Sequence, residues 1–169
     1  MTVRESLDRF REAQDAPRAG FTVALRELRA GRKTSHWIWY MFPQLAGLGR
    51  SSTAARFGLA GADEAADYLR DRVLGERLVE ATAVVRAHLA GTKARRVRLE
   101  ELMGSHIDAL KLVSCMTLFQ HVAKSLDAAA PQPRFAAMAE QAEKVLAAAA
   151  ADGYGRCAYT EEHLRRLST

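Results

Sequence analysis

The sequence predicts an all-α fold: a compact single domain of about eight helices, spanning 1–169, around a central buried helix near 106–126. Three observations carry that prediction. Apolar residues recur at steps of three and four along most of the chain. Glycine and proline punctuate the pattern at helix-length intervals. No segment sustains a period-two alternation rich in β-branched residues, so strands are not needed.

Taken in order, Leu7, Phe10, Arg11 and Gln14 fall at helical spacing in a first short helix that Pro17 stops. A second helix carries Phe21, Ala24, Leu25 and Leu28 on one stripe and ends at Gly31. Thr34 and Ser35 offer an N-cap for a short aromatic helix, His36 to Phe42, closed by Pro43. From Gln44 to Ser52 the glycines and serines read as an irregular loop. Gly61 opens the next helix, with Asp63 and Glu64 in its first turn and Ala65, Tyr68 and Leu69 as its stripe. A longer one places Val73, Leu74, Leu78, Ala81, Val85 and Leu89 on its apolar face and ends at Gly91.

The segment Lys93 to Arg98 is basic and leads into Leu99, Leu102 and Met103, a short helix closed by Gly104. Ile107 to Leu126 is apolar on nearly every face, as expected of a helix surrounded by its neighbours. Pro131 and Pro133 break the chain before an alanine-rich helix from about Phe135 to Ala151. Gly153 and Gly155 break it again, and Thr160 with Glu161 and Glu162 starts a terminal helix through Leu167.

The 169 residues are 49% hydrophobic and 27% charged, ordinary globular usage that excludes global disorder, a coiled coil or a collagen-like fibre. A net charge of +5 favours an anionic partner without requiring nucleic acid. Cys115 and Cys157 are too few for a disulfide framework, and neither has CxxC spacing, which points to a reducing, cytoplasmic setting. Nothing approaches eighteen consecutive apolar residues, and Arg4, Glu5 and Asp8 spoil a signal peptide, so no membrane partner is expected.

Two segments have the residues for chemistry. In Gly31–Gln44, both tryptophans and one of the tyrosines crowd beside His36 and Lys33. Trp37 and Trp39 would supply a stacking wall for a base, a nicotinamide or a sugar. Lys33 and the backbone N–H groups of Ser35 and its neighbours would hold a phosphate or carboxylate. The competing reading is an aromatic core helix satisfied internally. In Gly104–Phe119, Asp108 and Lys111 stand at i and i+3 in the most apolar helix, where burying charge is costly unless the groups pair or serve a site. They are either acid–base or anchoring groups, or an ion pair that locks helix packing. Ser114 and Thr117 are expected to bond back to the preceding turn.

Other signals are weaker. Lys93–Arg98 lacks interleaved aromatics, so nucleic acid is a disfavoured partner. The histidines show no HExxH or paired spacing, and no metal or cofactor is indicated. Cys115, within the buried helix, reads as an inert core thiol.

At these residues the sequence resembles a bacterial family known as domain of unknown function 1810, sometimes mislabelled calpastatin. The resemblance begins at Leu7-x-Arg9-Phe10 and covers Ala24-Leu25-x-Glu27-Leu28. It continues through Gly31-x-Lys33-x-Ser35-His36-Trp37-x-Trp39, Phe42-Pro43-Gln44 and Gly47-Leu48-Gly49-x-Ser51, and closes with Asp108-x-x-Lys111-Leu112 and Ser114-x-Met116-Thr117-Leu118-Phe119. It implies a compact all-helical fold and that the two motif segments form one site, but supplies no activity or cofactor. Cys115 stands where a serine is usual.

Three functional readings follow. One is a pocket for a small anionic, nucleotide-like ligand of possible ADP-ribose type, with His36, Asp108 and Lys111 as candidate catalytic groups of a hydrolase or glycosidase. Lys33, Ser35, Trp37, Trp39, Gln44, Ser51 and Thr117 would then bind the ligand. The second is a non-catalytic scaffold or regulator whose motif residues are structural. The third is a weak nucleic-acid binder.

Overall fold

In a computed structural model, residues 3–91 and 95–167 are described. Among them the backbone forms ten helices: α1 (Val3–Asp15), α2 (Phe21–Arg29), α3 (Ile38–Met41), α4 (Ser52–Phe57), α5 (Ala62–Arg70), α6 (Arg72–Leu89), α7 (Leu99–Met103), α8 (His106–Ala129), α9 (Pro133–Ala151) and α10 (Ala158–Leu167). The described residues contain no strand; one parallel bridge pairs Leu45 with Leu59. The fold is all-α. Thr92, Lys93 and Ala94, at the start of the basic stretch, lie outside the described residues.

Helix α8 is the hub, packing against α9, α5, α7, α10 and α3, while α6 packs on α9, α5 and α2. Met116, Leu118 and Phe119 of α8 are wholly buried, and one core cluster runs from Leu7 to Leu164. The hub is not apolar and covered on every face, however. Its first turns leave Ile107 64% and Leu110 45% exposed. Val73, expected on the buried stripe of α6, is likewise exposed because it sits in that helix's first turn.

Two local departures bear on the site. The aromatic helix is shorter than the expected His36–Phe42, because the N–H groups of Thr34 and Ser35 turn toward the carboxylate of Glu27 at 2.9 Å each. Ser35 therefore caps nothing; its hydroxyl donates to Glu27 as well. Helix α4 follows the expected Gln44–Ser52 loop in a stretch for which the sequence predicts no element, since Ser52–Phe57 buries Phe57 alone and shows no apolar period. Ser51 is its N-cap, accepting from Ala54 N at 3.0 Å.

The boundary between α7 and α8 places the second motif. Gly104 turns at φ +79°, and a Cβ there would come within 2.8 Å of the Lys33 carbonyl oxygen. Lys33 N in turn donates to Leu102 O at 2.8 Å, so the loop after α2 is pinned against the end of α7. Ser105 then caps α8 by accepting from Asp108 N at 3.1 Å.

Candidate functional site

Glu27 sits on the buried stripe of α2 between core leucines, a place where a lone carboxylate would be prohibitive. It accepts from Thr34 N, Ser35 N and the Ser35 hydroxyl, and from the Trp37 indole N–H at 2.8 Å. Burial alone would raise its pKa; these four hydrogen bonds outweigh it and hold the group at about 2. Trp37 is wholly buried in consequence, packed beside Phe42, and has no face open to a ligand.

The two motif segments meet immediately beyond this knot. Lys33, 7% exposed, places Nζ 2.7 Å from Oδ2 of Asp108, while Lys111 Nζ lies 3.1 Å from Oδ1 of the same carboxylate. Burial works to raise the Asp108 pKa, but the Lys33 bond and charge, reinforced by Lys111, hold it below the usual carboxylate range. Each ammonium also lies over an indole: Lys33 is 5.1 Å from the Trp37 ring centre and Lys111 is 4.4 Å from that of Trp39. One carboxylate thus serves two lysines, and the triad carries one net positive charge.

Lys111 opens on a groove of about 390 Å³, walled by Leu48, Ile107, Leu110 and Val113 and bordered by Gln44, Ser114 and the 155–158 segment. Gln44 and Lys111 also line a cavity of about 10 Å³ behind it, together with Trp39 and Phe57. Arg156 and the half-buried Cys157 close the far side. The Arg156 guanidinium is already committed to Gln120 Oε1 at 2.6 Å and Glu161 Oε1 at 3.1 Å.

The remaining candidates lie elsewhere. His36 is exposed, and no hydrogen bond among the described residues joins its ring to Asp108 or Lys111; its carbonyl accepts from the Tyr40 hydroxyl at 3.2 Å. Ser51 is exposed at its cap. Thr117 is buried, donating to Val113 O at 2.8 Å and accepting from Cys157 N at 3.2 Å, which ties α8 to the segment before α10. Ser114 bonds back to Leu110 O at 3.0 Å. Cys115 is wholly buried, and burial pushes its thiol pKa well up.

A larger open depression, about 1340 Å³, is lined by Arg9, Asp67, Arg70, His121 and His163 among others. Its charges balance, Arg9, Arg56 and Arg70 against Asp63, Glu64 and Asp67, with Arg9 on Glu64 at 2.8 Å and Arg70 on Asp67 at 3.2 Å, so it selects no particular sign of ligand. Size therefore does not mark the chemistry here. The described residues hold no cluster of three or more His, Cys, Asp or Glu able to bind a metal. None of their helices is long and apolar enough to cross a membrane.

A family model described as protein of unknown function (DUF1810) matches residues 4–143. The chain belongs to this family. The crystal structure of the conserved hypothetical protein Rv1873 from Mycobacterium tuberculosis is similar at 36% identity, covering 92% of this chain and 94% of that one with a TM-score of 0.72. No curated protein matches. The DUF1810 match takes in Glu27 and the whole Lys33–Asp108–Lys111 triad, whereas Arg156 and Cys157 fall beyond it.

Glu27 is the residue that composition and motif reading pass over as a candidate. The signal was present: a carboxylate flanked by Leu25 and Leu28 on an apolar helical stripe must find donors, and Thr34, Ser35 and Trp37 follow within ten residues.

Proposed function

We propose that this protein binds a small anionic organic molecule in the groove opened by Lys111 and Gln44. The observation that carries the reading is the sharing of Asp108 between two lysines, which leaves a positive charge beside a groove of ligand-binding size. A nucleotide-type molecule is one candidate, with a phosphate on Lys111. Its base would rest on the aliphatic walls, because the Trp39 face is taken by the Lys111 ammonium and Trp37 is internal.

The reading is of binding rather than turnover. Asp108 is held as an anion by Lys33, which makes it a poor proton acceptor, and His36 stands apart. Lys33, Ser35 and Trp37 belong to architecture: their burial and complete pairing with Glu27 and Asp108 favour a structural role, so the motif divides between a knot that holds α2, α3 and α8 and a groove that faces outward.

The test is a thermal-shift and calorimetric screen of nucleotides, ADP-ribose, phosphate and small carboxylates at low and high salt, on wild type and Lys111→Met. A ligand that binds only the native state raises the melting temperature, and its effect should fall with salt and with loss of Lys111. A screen in which no anion shifts wild type, or shifts both proteins equally, overturns the reading.

A further inference from the structure

The groove's own composition narrows the ligand further, an argument that rests on the anion-binding reading above. Gln44 is 7% exposed, yet among the described residues its carboxamide makes a single long contact, Nε2 to Leu48 O at 3.5 Å. A buried amide normally makes short hydrogen bonds, and this one faces both the groove and the small cavity behind it. Beside it is Lys111, so two kinds of donor, a neutral N–H and an ammonium, border one space. Apart from Ser114, Arg156 and Cys157 the rest of the lining is apolar, and Ile107 and Leu110 are large apolar side chains left open to solvent at its rim.

From this juxtaposition we propose that the groove takes an aliphatic monocarboxylate of medium length. The carboxylate lies on Gln44 Nε2 and Lys111 Nζ, and its tail covers Leu48, Ile107, Leu110 and Val113. Charge decides against a polyphosphate: the lysine–aspartate triad offers one net positive charge, which matches one carboxylate. The other sources of positive potential are already used. The guanidinium of Arg156 is engaged by Gln120 and Glu161, and the start of α8 is capped by Ser105 with Asp108 in its first turn. A volume of about 390 Å³ is also at the small end of ligand sites.

Cys157 supplies a reporter, because it lines the groove and the chain's other cysteine is wholly buried. The experiment measures the rate at which neutral iodoacetamide alkylates Cys157 in the full-length protein, with octanoate, octylamine, AMP or ADP-ribose present. Octanoate should slow alkylation while octylamine does not. Lys111→Met should raise the octanoate concentration needed by about tenfold or more, the worth of a charge-assisted hydrogen bond. Leu110→Glu, at an exposed rim position where folding is not at stake, should do the same by repulsion and lost tail contact. Protection by octylamine equal to that by octanoate would overturn the carboxylate assignment. Protection by the nucleotides and not by octanoate would overturn it too, while leaving the anion-binding reading standing. Protection by none of the four overturns both.

Discussion

The Lys33 ammonium sits 2.7 Å from Asp108 Oδ2, joining the loop after α2 to the first turn of the hub helix α8. Lys111 takes the other oxygen of the same carboxylate from a more open position, its side chain 19% exposed against 6% for Lys33. The three charges are therefore not equivalent. Asp108 is the shared counter-ion of both lysines, whereas each lysine has help from the other in neutralising Asp108.

That inequality predicts an order of stability losses. Asp108→Asn strands two ammonium groups, one of them buried, and should cost about 3–5 kcal/mol, the usual cost of orphaning a buried charge. Lys33→Met should cost less, because Lys111 still meets the carboxylate, and Lys111→Met least of all. Combining Asp108→Asn with Lys33→Met should recover much of the single loss. Urea unfolding of the four proteins checks this; equal losses in all three singles would mean that the triad is not organised as described.

The acid limb of stability should report Glu27. Its folded pKa of about 2 lies below the ordinary value of 4.5. A depressed carboxylate contributes its stabilisation fully above the unfolded value and loses it as pH falls through the folded one. Glu27's contribution should therefore fade between about pH 4.5 and 2, with Asp108 acting in the same direction. Glu27→Gln can keep the shape of the knot, one oxygen taking the three N–H donors while the new amide donates to the Ser35 hydroxyl. It should cost only ~1–2 kcal/mol at neutral pH and flatten the acid limb. Glu27→Ala abandons all four donors and should cost clearly more. An acid limb unchanged in Glu27→Gln would assign it to other carboxylates.

What was legible in the sequence follows from how local each signal is. The stripes of α2, α5 and α6 and the glycine that ends α7 are periodic or conformational signals within one segment, and apart from Val73 at the start of α6 the structure follows them. The pairing of Asp108 with Lys111 is local as well, one helical turn apart. Lys33 on Asp108 and Glu27 on Trp37 are not. The first depends on the loop after α2 passing over the end of α7, a crossing that a linear pattern does not encode. The second depends on how that loop folds back on α2, for which the sequence shows the need of donors but not their choice. Short α4 escapes for a different reason, as it buries one side chain and has no stripe to read. The groove is likewise assembled from three distant stretches, and Arg156 and Cys157 enter it because Thr117 and Gln120 hold the segment before α10.

The basic stretch before α7 divides in the same manner. Arg96 is 11% exposed and paired with Asp152, itself 4% exposed, which also accepts from Leu99 N at 2.9 Å. Arg95 is exposed. Arg95→Glu should leave stability within about 0.5 kcal/mol, while Arg96→Glu sets two carboxylates together in a buried place and should cost about 3–5 kcal/mol. Neither arginine should matter for retention on heparin at physiological salt, since only one of the pair is free to meet phosphate. A marked loss of retention in Arg95→Glu would revive a nucleic-acid surface.

The two tryptophans should separate architecture from ligand response within one short motif. Trp37 is wholly buried, donates to Glu27 and packs on Phe42, so Trp37→Ala opens a large cavity and strips a donor from a buried carboxylate. Such a change typically costs about 3–5 kcal/mol. Trp39 is half-buried under the Lys111 ammonium and borders the small cavity beside Gln44, so Trp39→Ala should cost less. Fluorescence then offers a cleaner division than stability. With Trp37 replaced by phenylalanine, the remaining Trp39 emission should respond when an anion draws Lys111 away from the ring. With Trp39 replaced instead, Trp37 emission should stay still, because nothing in the groove reaches it. A response from Trp37 but not from Trp39 would put the ligand on the other side of α3 and remove Lys111 from the site.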